Sequence, residues 1–383
     1  MEMTFMKNVF VVADNIFSPL GFSTEENMRA LEKEKTGVKR HVDFMSSGTD
    51  VFAALFDDSL KNKIPEIPGF TKFENLLTAS IAEALRGTEI RIDDPKTVLI
   101  ISTTKGNISM LENFPVPEEI KVEISLSSSA KKIAKHFGNP NEPIVISNAC
   151  ISGLAALLVG KRLIQSGKFQ NAVVAGADLI TRFVQSGFES FQAISTEVCK
   201  PFDIARTGIN LGEAAATMVL SETPSDDRSS ILLSGGAISN DANHISGPSR
   251  TGEELALAIR KAFVDSSLDA SDIDFISAHG TATVYNDEME AKAFAISGLT
   301  EVPVNSLKGY YGHTLGAAGL VESVITINCM RENVLLPTYG FKNSGVSVAL
   351  NICDKMQYAK INHALKTASG FGGCNAALVF SRV

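Results

Sequence analysis

Between Asn8 and Ser381 one succession of strand-like and helix-like segments can be read twice, and this duplication constrains the fold more than any single motif. The first pass runs strand 8–13, helix 74–85, strand 97–101, strand 144–146, helix 151–165, strand 171–177 and strand 214–221. The second runs strand 231–234, helix 253–264, strand 275–278, strand 302–306, helix 316–331 and strands 367–369 and 376–381. Strands alternating with helices make parallel βαβ units, so the expectation is an α/β protein of two halves, 1–222 and 230–383. The helices 151–165 and 316–331 are the most apolar and should lie between two sheets packed face to face. Gly316-Ala317-Ala318-Gly319 would let the second of them approach a neighbour closely. Outside the repeat, the pattern predicts a helix opening at Thr24 or Glu25, a surface excursion over 38–72, a loop-rich stretch over 104–142 with a short helix at 130–136, and a polar linker at 223–228.

Length agrees, since 383 residues are too many for one small core. A net charge of −8 argues against nucleic acid or an anionic membrane as the main partner. No apolar run reaches the ~18 residues of a membrane span. The five cysteines, 150, 199, 329, 353 and 374, are an odd number without a CxxC, which suits a reducing, cytosolic compartment.

The first half has one chemically pointed stretch. Ile144-Val145-Ile146 is β-branched, Ser147-Asn148-Ala149 are small turn residues, and from Ile151 to Gln165 good helix formers run to a stop at Gly167. Cys150 thus falls where a strand turns into a helix, the geometry of a nucleophile elbow. The positive end of the helix dipole there favours a thiolate. Read alone, the stretch leaves a catalytic thiol and a buried core thiol both open.

In the second half, Ser277-Ala278-His279-Gly280-Thr281-Ala282-Thr283 follows a strand, and open α/β sheets bind ligands at that edge. Asn305-Ser306-Leu307-Lys308 follows the next strand and leads through Gly312-His313-Thr314 into the Gly316 helix. The duplication places His313 at the helix that mirrors the Cys150 helix. Gly370-Phe371-Gly372-Gly373 is a loop that backbone can use to approach a ligand. Asp287 and Glu290 with His279 match no dedicated metal spacing, so no metal is expected and a structural polar network is the reading.

Five motifs in one order resemble the β-ketoacyl-acyl-carrier-protein synthases of the thiolase fold. They are Asn148-Ala149-Cys150-Ile151-Ser152-Gly153, Pro201-Phe202-Asp203-Ile204-Ala205-Arg206-Thr207-Gly208, His279-Gly280-Thr281-Ala282-Thr283 with Asn286-Asp287 and Glu290, Lys308 with Gly312-His313-Thr314-Leu315-Gly316-Ala317-Ala318-Gly319, and Gly370-Phe371-Gly372-Gly373. The resemblance implies a thiolase-like, five-layered αβαβα sandwich. It also implies decarboxylative condensation of a Cys-bound acyl group with malonyl carrier protein, in fatty-acid or polyketide/polyene elongation. Cys150 would be the nucleophile, and His279 and His313 would stabilise the enolate. The N–H groups of Cys150 and Phe371 would form the oxyanion hole, and the Phe371 ring would gate the acyl pocket. Lys308 would tune His313 and the electrostatics of the site, Thr281 and Thr283 would bind the phosphopantetheine arm, and Glu322 would partner Lys308. Asp203 and Arg206 would be an ion pair under the site. No cofactor is implied beyond substrates carried on phosphopantetheine. The partners implied are an acyl carrier protein and a second subunit, in a homodimer or a heterodimer with a related ketosynthase.

Rival readings meet specific residues. A thiolase would need a second cysteine where Phe371 stands, and an initiating synthase would carry Asn in place of one histidine. A non-catalytic chain-length-factor subunit would lack Cys150, although the active half of such a heterodimer remains open. Cys199, Cys329, Cys353 and Cys374 read as core or incidental, and His41, His136, His244 and His363 sit in no motif. Lys61, Lys63 and Lys200 read as solvated surface charge rather than a carrier-docking patch.

Overall fold

Each half builds the same five-stranded sheet. The computed structural model describes residues 7–44, 50–57, 62–112, 118–225, 230–242 and 247–383. The first half contributes β1 (Phe10–Phe17), β2 (Thr97–Ser102), β3 (Ile144–Ile146), β4 (Asn171–Asp178) and β5 (Ala214–Ser221). The second contributes β6 (Ile231–Asn240), β7 (Phe275–Ser277), β8 (Val304–Asn305), β9 (His363–Gly370) and β10 (Cys374–Arg382). The strand order is β3-β2-β4-β5-β1 in one half and β8-β7-β9-β10-β6 in the other. Senses of pairing repeat as well: β2 lies parallel to β3 and β4, as β7 does to β8 and β9, and the remaining pairs are antiparallel. The two units are not wholly separate sheets. β1 and β6 join them through Phe10↔Leu232 and Val11↔Ile231.

The layers follow from side-chain alternation along strands that are apolar on both faces. Val98 and Ile100 of β2 face inward, onto a core shared with Leu154, Leu157 and Leu158 of α2 (Ser152–Gln165) and Leu320, Val321 and Val324 of α4 (Ala318–Glu332). Leu99 and Ile101 face outward, against Leu76, Leu77 and Ile81 of α1 (Lys72–Leu85). In the second half Leu378 and Phe380 point inward while Ala377 and Val379 meet Leu255, Ile259 and Ala262 of α3 (Glu253–Ser266). The result is the thiolase-like αβαβα sandwich, with α2 and α4 as its middle layer.

Glycines set the separation of that middle layer. A Cβ on Gly153 would stand 2.7 Å from the Leu320 nitrogen, and one on Gly319 would stand 2.8 Å from the Leu154 nitrogen. Backbone cannot yield as a side chain can, so Gly319→Ala should cost about 1–3 kcal/mol. A urea midpoint that falls with an unchanged m-value is the expected result; an unshifted midpoint would show that the helices are free to separate.

Some elements depart from the sequence reading. Part of 38–72 is ordered: Lys39–His41, Val51–Ala54 and Leu211–Gly212 form a small sheet whose last strand comes from far along the chain. Helices at Arg182–Ser190 and Val284–Ile296 lie outside the expected elements; the first is short, with Val184 and Phe188 one turn apart on its packed face. The second buries Asn286, Asp287 and Glu290 along with Met289, Ala293 and Phe294, so polar residues break its apolar stripe. β6 runs on to Asn240 through Gly235 and Gly236, which interrupt the apolar pattern. At Gly235 a Cβ would come 2.3 Å from the Ala262 carbonyl, so α3 lies directly on strand backbone. Lys61, His244 and the 226–228 part of the expected linker lie outside the described residues. Among the described residues no helix is long and apolar enough to cross a membrane.

Candidate active site

Three turns from the two halves converge. The first follows β3, where Ala149 takes a φ of +43°, a region that costs a non-glycine residue energy. Ser152 holds the turn: its hydroxyl donates to the Ala149 carbonyl at 2.6 Å and accepts the Asn148 N–H at 2.8 Å. The second turn follows β7. There the His279 and Gly280 N–H groups donate to Glu290 at 2.8 and 2.6 Å, and the Thr281 N–H donates to Asp287 at 2.9 Å. The third carries His313. Its N–H donates to the Asn210 carbonyl at 2.7 Å, and its own carbonyl accepts the Gly212 N–H at 3.0 Å, so first-half backbone pins a second-half histidine.

The reactive atoms meet in one place. The Cys150 sulfur and a ring nitrogen from each of His279 and His313 lie within 4.8 Å of one another. The two imidazole rings stand nearly perpendicular, centroids 5.1 Å apart. All three residues line a cavity of about 540 Å³ together with Thr281, Thr283 and Phe371. Phe371 is 40% exposed and stacks on Phe188 and Phe191 at 5.6 and 5.1 Å. The Thr281 and Thr283 hydroxyls are 2.9 Å apart, and Thr283 also caps the helix Val284–Ile296.

Hydrogen bonding fixes the imidazole tautomers. His313 Nδ1 accepts the Leu315 N–H at 3.0 Å, so the proton sits on Nε2, which is buried and has no hydrogen-bond partner among the described residues. His279 Nδ1 faces the Lys308 ammonium at 3.5 Å, which likewise leaves Nε2–H as the free donor. Burial, reinforced by the Lys308 charge, holds both histidines well below the usual imidazole range, so both are neutral donors near neutral pH. With Nδ1 engaged and Nε2 protonated, neither ring offers a lone pair to a cation, and two buried ammonium groups stand behind them. The set does not suit a metal ion.

Cys150 corrects one expectation. The thiol is 8% exposed, and burial pushes it up to about 12 against the pull of Lys308 and of the Phe371 and Cys150 N–H groups. Desolvation of the anion outweighs the helix end, so the resting site holds a thiol. Alkylation by a neutral haloacetamide, followed by intact mass, should therefore keep accelerating from about pH 7 to about pH 10. A plateau near neutrality would show a standing thiolate instead.

Lys308 acts on both imidazoles through its charge, and its direct contacts add a link to His279. Its Nζ donates to the His279 carbonyl at 3.1 Å and pairs with Glu322, so its contacts are to His279, and it reaches His313 only through its charge. Glu322 is its partner as expected. Asp287 and Glu290 form the polar support under the His279 turn, and burial raises both, Asp287 to about 7. The Asp203–Arg206 ion pair is replaced by other contacts. Asp203 accepts N–H groups from Ala205, Lys342 and Asn343, while Arg206 faces Asp287 at 3.8 Å. Three backbone N–H donors, helped by the Lys200 charge, hold the Asp203 carboxyl below its usual range in spite of burial.

Among the remaining cysteines, Cys374 lies beside the site, its thiol 3.5 Å from the Phe371 carbonyl; Cys199, Cys329 and Cys353 do not line the cavity. His41, His136 and His363 contact Ala53, Phe70 and Ser381 respectively, outside it. Two buried groups escaped the sequence reading. Asp178, at the end of β4, accepts from Thr103, Thr104 and Lys105 and from the Gly316 N–H at 2.8 Å, tying one half to the start of the other's helix. Lys366, inside β9, ion-pairs Glu322. A lysine interrupting Ala364-Leu365-Lys366-Thr367-Ala368 was the available signal.

A thiol and two imidazole donors at the seam of a duplicated α/β sandwich define a thiolase-fold acyl-transfer protein. The family is specific: the beta-ketoacyl synthase N-terminal domain matches residues 6–225 and the beta-ketoacyl synthase C-terminal domain matches 231–342, and the chain belongs to the beta-ketoacyl synthases. It is an acyltransferase of the condensing type. It is 28% identical to the 3-oxoacyl-[acyl-carrier-protein] synthase 2 of Vibrio cholerae, over 98% of this chain and 99% of that one. Among solved structures, a beta-ketoacyl synthase from Burkholderia phymatum superposes with a TM-score of 0.86 at 25% identity, covering 99% of this chain and 100% of that chain. The ishigamide ketosynthase/chain length factor does so with a TM-score of 0.89 at 24% identity, covering 99% and 100%.

Proposed function

We propose that this cavity runs both half-reactions of a 3-oxoacyl carrier-protein synthase, with the half 1–222 supplying the nucleophile and the half 230–383 the two imidazoles. In the first, the Cys150 sulfur attacks the carbonyl of a carrier-bound acyl thioester. The tetrahedral oxyanion is received by the Cys150 and Phe371 N–H groups, which already face the sulfur. The carrier thiol leaves with the proton, and the acyl group stays on Cys150. In the second, malonyl carrier protein loses carbon dioxide, and the enolate oxygen is received by the Nε2–H groups of His279 and His313. The enolate carbon attacks the acyl carbonyl, and collapse of the oxyanion expels the Cys150 thiolate, which takes a proton from water to restore the thiol, and releases the β-ketoacyl thioester.

The observation that carries this reading is the shared tautomer: two neutral rings present Nε2–H toward one cavity that also holds the sulfur. Neutral donors stabilise the enolate without binding the substrate carboxylate as cations would. Thr281 and Thr283, which line the cavity, would bond the phosphopantetheine amides, and Phe371, packed against Phe188 and Phe191, would gate the acyl chain. The reading calls for no cofactor beyond carrier-bound substrates, with a carrier protein and a second, related or identical subunit as partners. Five buried free cysteines support a reducing, cytosolic setting. Incubation with a panel of acyl carrier thioesters should leave one acyl mass on the protein, mapped to Cys150. A panel spanning short, long and unsaturated chains that leaves no adduct would overturn the proposal.

A further inference from the structure

Behind His279 lies a buried charge cluster with one member that the condensation scheme does not use. Lys366 is fully buried on β9. Its ammonium donates to the carbonyls of Ser277 and Ala278, both at 3.1 Å, and of Thr367 at 2.7 Å, which occupies its three N–H groups. The Ser277 carbonyl ends β7, and that of Ala278 follows it immediately before His279. The next side chain, Thr367, donates to Glu290 at 3.1 Å, and Glu290 holds the N–H groups of His279 and Gly280. One strand therefore grips the His279 turn from both sides.

The charges also balance. Glu322 faces Lys366 at 2.8 Å through one oxygen and Lys308 through the other, and Glu290 is the second carboxylate of the cluster. Two ammonium groups thus stand against two carboxylates, with His279 and His313 in front; next to Glu290, Asp287 and Arg206 face each other at 3.8 Å and add one carboxyl and one guanidinium. Without Lys366 the cluster would carry one uncompensated negative charge behind the donors that must receive an enolate. In a buried site such a charge is weakly screened.

Resting on the condensing reading above, we propose that Lys366 is a positioning residue: it keeps the ground behind His279 and His313 electrically neutral and aims the His279 ring at the enolate oxygen. Its charge also helps to hold the two imidazoles in their neutral form.

The test separates charge from packing. Lys366→Met should slow carbon dioxide release from malonyl carrier protein by about 100-fold. Acylation of Cys150, read by intact mass, should stay within about threefold, because the Cys150 and Phe371 N–H groups are untouched. The acid limb of the decarboxylation profile should move to higher pH, since removing a cation raises a neighbouring imidazole. Lys366→Met combined with Glu322→Gln restores neutrality and should recover at least about tenfold of the lost rate. Should Lys366→Met fail to fold, the double variant carries the test alone: a folded double variant that decarboxylates supports charge balance. Undiminished decarboxylation by Lys366→Met, an unmoved acid limb, or no recovery in the double variant would overturn the proposal. Wild-type protein that releases no carbon dioxide would instead sink the condensing reading and the proposal with it.

Discussion

Cys150→Ala should lower condensation by about 10⁴-fold or more while the protein stays folded. The change deletes only the sulfur that becomes acylated, and no neighbouring group can replace it. Cys374 is closest in kind, but its thiol is turned to the Phe371 carbonyl and it does not line the cavity. Truncating a small, nearly buried side chain should cost about 1 kcal/mol of stability. Carbon dioxide release should survive, because the two Nε2–H donors need no sulfur to receive the enolate. The experiment therefore has three readouts: intact mass after acyl carrier thioester, condensation product, and carbon dioxide. An acylated Cys150→Ala protein would remove Cys150 from the mechanism.

The histidine variants should show the opposite pattern. His279→Ala or His313→Ala should each slow decarboxylation by about 100- to 1000-fold, the effect of losing one aimed donor from a buried oxyanion site. Acylation of Cys150 should persist in both, since its oxyanion is received by backbone. The two variants should differ in stability. His313→Ala also strands the Leu315 N–H, which has the His313 ring as its acceptor, whereas the His279 turn stays held by Glu290, Asp287 and Lys366. Undiminished carbon dioxide release from either variant would remove that ring from the proposed pair.

The contrast between Cys150 and Lys366 shows what could be read before any coordinates. The elbow is local. A β-branched strand, three small residues and an apolar helix occupy one short stretch, and backbone preference alone puts Cys150 at the turn. The same holds for His279 after a strand and for His313 at the approach to α4, and for the repeated order that implied the sandwich. The helix Val284–Ile296 was missed because it buries Asn286, Asp287 and Glu290 beside Met289, Ala293 and Phe294: it serves the His279 turn as well as the hydrophobic core, so no clean apolar stripe marks it.

The amino-acid order by itself determined the duplicated architecture, the turn that carries the nucleophile and the residues that face the cleft, because each depends on neighbours a few positions away. Only the tertiary structure decided the protonation of Cys150, the tautomers of the two histidines, the attachment of Lys308 to His279 and the presence of Lys366 in the charge cluster. Those properties depend on desolvation and on distances between charges drawn from both halves of the chain, and neither quantity exists until the two sheets have closed around α2 and α4.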